Sequence, residues 1–189
     1  MPKSVCLFCS ASEGLPPEYI ELAESFGSRI ARQGMRLVYG GSARGLMIAA
    51  ARATHAGGGA VLGVMPRLLI PREGLGSTVG AIKIVETLSE RKQLMADAAD
   101  AFVAIPGGIG TLDEVAEMIT WNELGIHAKP VYLLNVFGFW DPLLEFFERG
   151  RKLGVIRPSF AASCTVVDTL DALFEDLAMP THRSDLPRP

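Results

Sequence analysis

Two short runs combine residue types that can hold an anion and act on a bond beside it. The first is Tyr39-Gly40-Gly41-Ser42-Ala43-Arg44-Gly45. The second is Pro106-Gly107-Gly108-Ile109-Gly110-Thr111, which continues into Leu112-Asp113-Glu114. Glycine admits positive φ and lets a ligand approach the backbone without a Cβ clash. Where a helix follows, its first N–H groups are unpaired and its dipole is positive, which suits a phosphate. Thr111 adds a hydroxyl donor to the second run. In the first, Ser42 and Arg44 either assist an anion or are plain turn residues. Neither run is a Walker A loop, because Gly-Lys followed by Ser or Thr is absent, and neither is a clean GxGxxG. A ligand-free explanation of the second run stays open: Thr111 and Glu114 have the T-x-x-E spacing of a capping box.

Arg91 is the next residue of interest. Leu88, Arg91, Met95 and Ala99 recur at helical spacing, while Glu90, Gln93, Asp97 and Asp100 mark the opposite, wet side. Arg91 is therefore expected on an apolar face, where its guanidinium needs a carboxylate or phosphate or must snorkel to water. Lys92 beside it reads either way. In the following helix Leu112, Val115, Ala116 and Ile119 form the packing stripe, leaving Glu114 and Glu117 off it. Glu114 falls one turn from the presumed phosphate, where a carboxylate can touch a sugar hydroxyl or activate water. Glu117 is either a solvated acid or a neighbour in the pocket.

These residues need rigid elements to hold them. Strand-like apolar runs are Val5–Cys9, Met35–Tyr39, Ala60–Met65, Ile82–Glu86, Ala101–Ile105, Pro130–Asn135 and Cys164–Val167. Helical patterns cover Pro17–Gln33, Arg44–Ala56, Leu88–Ala99, Leu112–Leu124, Trp140–Leu153 and Thr169–Leu177. Alternation of the two predicts an α/β fold: a Rossmann-like, doubly wound, mainly parallel sheet of about seven strands with helices on both faces. Such sheets bind ligands at the carboxyl ends of their strands, where both glycine runs lie. The 189 residues suit one nucleotide-binding unit over 1–178, with the proline-rich 179–189 as a flexible tail.

The remaining composition narrows the function classes. A net charge of −3 gives no reason to expect nucleic acid or an anionic membrane as partner. No apolar run is long enough to span a bilayer and no charged-then-apolar leader opens the chain, so a cytoplasmic location is expected. A mean hydropathy of +0.27 leads us to expect apolar surface buried between subunits of a homo-oligomer. Cys6 and Cys9 form a lone CxxC inside a strand-like run and read as structural thiols. His55, His127 and His182 are far apart and lack zinc spacing, so no metal site is expected.

With these residues in view, the chain resembles the Lonely Guy family of cytokinin riboside 5′-monophosphate phosphoribohydrolases. The family's PGGxGTxxE pattern stands here as Pro106 to Glu114. The runs ERKQLM, ITWNELGIHAKPVYLLN, YGGSARGLM, GVMP and PREGLGSTVG are also similar to it, and the likeness extends from about Val5 to Ile156. The resemblance implies hydrolysis of the N-glycosidic bond of adenosine-type 5′-monophosphates to a free base and ribose 5-phosphate, in a dimer or higher oligomer with no cofactor. It implies Arg91 and Glu114 as the catalytic pair. Gly107, Gly108, Ile109, Gly110 and Thr111 would hold the phosphate, and Glu73, Lys92 and Thr120 would line the substrate site. Gly41, Ser42 and Met95 are further candidates.

The sequence departs from the family where Ser42 replaces a third glycine, where Ile48 follows Met47, at Leu88-Ser89, and at Ser10-Ala11. Two rival readings use the same glycine runs. One is a nucleotide or molybdenum-cofactor carrier without turnover. The other is lysine decarboxylase, a label that proteins of this family have carried; it needs a Schiff-base lysine, and none of Lys3, Lys83, Lys92, Lys129 or Lys152 has a context that fits.

Overall fold

The computed structural model describes residues 2–75 and 79–179. Gly76, Ser77 and Thr78 of the PREGLGSTVG run, and the expected tail beyond Met179, lie outside the described residues. Seven strands form one sheet: β1 (Ser4–Phe8), β2 (Arg36–Tyr39), β3 (Val61–Pro66), β4 (Ala81–Val85), β5 (Ala101–Ala104), β6 (Val131–Leu134) and β7 (Thr165–Val167). Every pairing is parallel, in the order β4-β3-β2-β1-β5-β6-β7. The expected α/β fold is thus present, and its sheet is wholly parallel.

Successive strand side chains point to opposite faces, and the central strands bury both. On β1, Val5 and Leu7 enter one core with Phe26, Ile30 and Leu46, while Cys6 and Phe8 enter the other with Met95, Val115 and Met118. The first core lies under α1 (Pro17–Arg32), α2 (Gly45–Ala56) and α8 (Leu170–Ala178). The second lies under α4 (Leu88–Ala98), α5 (Ile109–Glu123), α6 (Asp141–Lys152) and α7 (Phe160–Ser163). The alanine-rich α2 packs directly on α1. A Cβ at Gly27 would sit 2.2 Å from the Ala50 carbonyl oxygen, so the two helix backbones meet there.

This winding creates the crevice. From β1 the chain steps outward through β2, β3 and β4, then returns to place β5 on the other side of β1. The loops leaving β1 and β5 therefore diverge at their carboxyl ends, which is where open sheets of this kind take ligands.

Several local expectations shift. The fifth helix begins at Ile109, three residues before the predicted Leu112, because the backbone of Gly108 already serves as its N-cap. The T-x-x-E pair of Thr111 and Glu114 is consequently inside the helix and makes no capping box. A capping box forms instead at Thr87 and Glu90, at the start of α4. Two predicted stripe residues are exposed: Leu88 and Ala116. Met118 takes the buried place expected for Ala116, and Leu88 opens onto the crevice. The short α3 (Ile70–Glu73) and α7 were not expected from periodicity, since four residues are too few to show one.

Candidate active site

The crevice holds a cavity of about 500 Å³, within the range of small-ligand sites. One wall is the amino end of α5, contributing Gly108, Ile109, Gly110, Thr111, Asp113 and Glu114. Another is the start of α4, with Leu88, Arg91 and Lys92. The loops after β1 and β2 bring Cys9 to Glu13, Arg44 and Met47, and α3 adds Arg72 and Glu73.

The α5 end leaves its first donors open to the cavity. Its N-cap is a glycine with no side-chain cap, and Ile109 is 82% exposed. The backbone N–H groups of Ile109, Gly110 and Thr111 are the first-turn donors that a helix cannot pair internally. Behind them Gly107 makes the turn possible: a Cβ there would lie 2.2 Å from Thr111 Oγ1.

Arg91 is buried, as its position on the apolar face required, and it has found its anion. Its Nη1 lies 3.3 Å from Glu114 Oε1. Nε donates to the Val64 carbonyl and Nη2 to the Gly40 carbonyl, each at 3.2 Å. Gly40 is glycine for this reason, since a Cβ would fall 1.8 Å from Nη2. The Thr87–Glu90 capping box pins α4 one turn before Arg91. The guanidinium thus joins the ends of β2 and β3 to α5.

Glu114 is buried beside it, at 4% exposure. Burial pushes its carboxyl up to about 7; Arg91 and Lys92 pull it back, while Asp113 and Glu73 push the same way as burial. A carboxylate that titrates near neutrality can both carry charge and exchange a proton. Lys92 bridges Asp113 at 3.0 Å and Glu117 at 2.9 Å. Burial lowers its ammonium, but the hydrogen bonds to Glu117 and Asp113 outweigh that and raise it. Glu117 is therefore a partner of Lys92.

Other candidates fall outside the cavity. Met95 is a core residue, 1% exposed. Gly41 and Ser42 lie beneath the site; Gly41 takes φ +79° and the Ser42 hydroxyl accepts the Arg44 N–H at 3.3 Å, so both shape the turn. Thr120 is exposed and spends its hydroxyl on the Ala116 carbonyl at 2.8 Å. It stands nine residues beyond Thr111, or ~13 Å along the helix axis. The loop after β1, unassigned by sequence reasoning, is a main part of the wall; its position at the carboxyl end of a central strand was the available signal. Cys6 and Cys9 enter opposite cores, and burial, then the Glu114 charge, pushes both thiols well up. Among the described residues no group of three His, Cys, Asp or Glu is placed to hold a metal, and no helix is long and apolar enough to cross a membrane.

Fold and site together define a Rossmann-like α/β protein with an uncapped helix end beside a buried Arg–Glu pair, both on one crevice. Comparison with known proteins makes the class specific. Residues 47–177 match the family described as possible lysine decarboxylase. The chain is 48% identical over 156 residues to an Arabidopsis thaliana cytokinin riboside 5′-monophosphate phosphoribohydrolase, covering 82% of this chain and 72% of that one. It is 45% identical over 175 residues to a probable enzyme of the same name from Oryza sativa subsp. japonica, covering 93% and 72%. The chain belongs to this family of phosphoribohydrolases, the Lonely Guy family. Among solved structures, the molybdenum cofactor binding protein of Rippkaea orientalis shares the fold, with a TM-score of 0.70 at 21% identity over 92% of this chain and 94% of that one.

Proposed function

We propose that the protein hydrolyses the N-glycosidic bond of adenosine-type 5′-monophosphates, N6-substituted or plain, releasing the base and ribose 5-phosphate. The observation that carries this is the buried Arg91–Glu114 pair, one helical turn from the open end of α5. The phosphate sits on the N–H groups of Ile109, Gly110 and Thr111. The ribose then lies over the next turn of the helix, ~5 Å further on, which is where Glu114 stands. Cleavage develops positive charge on the sugar ring. The Glu114 carboxylate stabilises that charge and orients the attacking water. Arg91 is the positioning residue: it holds the carboxylate against the cavity and supports its ionised form. The names of the relatives support the same reaction.

The decarboxylase label is not favoured by the site. Lys92 is the lysine that lines the cavity, and its two carboxylate partners keep it protonated. Schiff-base formation needs a neutral amine. The decisive assay is incubation with AMP and with N6-isopentenyl-AMP, followed by chromatography. Free base and ribose 5-phosphate in equal amounts are expected. Nucleotide binding with no release of base from either substrate would point instead to a carrier.

We further propose that the chain works as a homo-oligomer in the cytoplasm. Leu68, Ile84, Leu88 and Ile109 are large apolar side chains left exposed, which supports burial of apolar surface against another copy. Sedimentation as a monomer at micromolar concentration would overturn the oligomer.

A further inference from the structure

Four cationic side chains line the cavity: Arg44, Arg72, Arg91 and Lys92. Two are already committed. Arg91 is held by Glu114 and two carbonyls. Lys92 is held by Asp113 and Glu117. A 5′-phosphate nevertheless brings a charge near −2, while a helix end supplies only about half a unit of positive charge. A free cation within reach is needed to balance it.

Arg44 meets that need. Its backbone is fixed on every side. Its N–H donates to Ser42 Oγ, and it is the N-cap of α2 in extended conformation. Gly45, with φ +55°, packs on the Ser10 and Ser12 carbonyls so closely that a Cβ would clash. Leu46 N–H donates to the Ser10 carbonyl at 2.9 Å, and Ser10 N–H donates to the Pro106 carbonyl at 3.2 Å. The root of Arg44 is therefore tied, through Ser10, to the turn that leads into α5. Its guanidinium is not held comparably. The carboxylate of Glu13 lies 3.7 Å from Nη1, and the two side chains are 47% and 70% exposed. That is longer than a charge-assisted hydrogen bond, and an exposed pair of this kind contributes little.

We propose that Arg44 is a substrate-binding residue that exchanges Glu13 for the 5′-phosphate, closing the phosphate subsite opposite the α5 amino end. This deepens the functional reading above and rests on it for the identity of the phosphate ester. A guanidinium suits the task because it binds two phosphate oxygens at once. Glu13 then acts as a weak competitor that keeps the side chain poised over the cavity.

The test is calorimetric binding of ribose 5-phosphate, with ribose as the control, to wild type, Arg44→Ala and Glu13→Gln at low salt. Ribose 5-phosphate is a stable probe, so the measurement does not depend on turnover. Arg44→Ala should weaken ribose 5-phosphate by about tenfold or more, leave ribose unchanged, and keep the wild-type melting temperature because the side chain is half exposed. Glu13→Gln should tighten ribose 5-phosphate severalfold. Unchanged ribose 5-phosphate affinity in Arg44→Ala overturns the assignment, and so does equal weakening of ribose. Wild type that binds ribose 5-phosphate through Arg44 but releases no base from AMP would leave this subsite standing and overturn the hydrolase reading. Wild type with no affinity for ribose 5-phosphate would overturn the subsite, and the hydrolase reading would then stand or fall on base release from AMP alone.

Discussion

Replacing Glu114 with glutamine keeps the side-chain volume, removes the charge, and separates two consequences of burying a carboxylate. In the folded protein burial raises Glu114 from 4.5 to about 7, whereas the unfolded chain exposes it. The folded state therefore holds this proton more tightly than the unfolded state. Its contribution to stability is complete below pH 4.5 and is lost as the pH rises through 7. A rise of that size corresponds to ~3 kcal/mol. Glutamine mimics the neutral form and shows no such loss. In acid the protonated carboxyl and glutamine alike leave Arg91 without an anion, with the Val64 and Gly40 carbonyls as its acceptors, so the two proteins should match there. In denaturant titrations from pH 4.5 to 8 the stability of wild type relative to Glu114→Gln should fall by ~3 kcal/mol as the pH rises. The two proteins should be near parity at pH 4.5 and Glu114→Gln the more stable by ~3 kcal/mol at pH 8, while its base release from AMP drops at least ~100-fold. A difference that stays flat, or wild type gaining on Glu114→Gln as the pH rises, would show Glu114 ionised throughout, and would refute the argument that burial outweighs Arg91.

The same titration should appear in catalysis. If the carboxylate is the working form, kcat/KM for AMP rises with pH and levels off above about 7; a flat profile from pH 5 to 8 would count against it. Gly40→Ala places a Cβ 1.8 Å from Arg91 Nη2, so it should lower kcat tenfold or more, of the order expected for misplacing a reacting group, even where circular dichroism shows the fold retained. Thr87→Ala removes the hydroxyl that caps α4 and should cost about 1 kcal/mol by chemical denaturation, with kcat/KM changed less than by Gly40→Ala.

Much of the chemistry was legible in one dimension. An arginine at a core-facing helical position had to find an anion or snorkel to water, because an unpaired buried guanidinium is too costly. The run of glycines between an apolar strand and a helix suited close backbone approach by a ligand, with a ligand-free tight turn as the alternative. The alternation of buried strands with amphipathic helices implied a wound parallel sheet. Helix caps were less legible. Thr111 and Glu114 carried the spacing of a capping box, yet the helix starts three residues earlier, at Ile109. Spacing alone does not say where the first turn begins; the stop set by Gly107 against Thr111 does.

Pairing across the molecule was decided only in three dimensions. That Glu114 is the partner of Arg91, and that Lys92 answers Asp113 and Glu117, follows from α4 and α5 lying together on one face of the sheet. The return of the chain from β4 to β5 placed the loops of β1, β2 and β5 around one crevice. Residues far apart in sequence, such as Ser10, Arg44 and Pro106, were thereby joined by backbone hydrogen bonds or short turns. Local patterns report what a residue needs: burial, a partner, a turn. Which residue supplies that need depends on strand order, and strand order is set by packing of the whole sheet, which no short stretch of sequence contains.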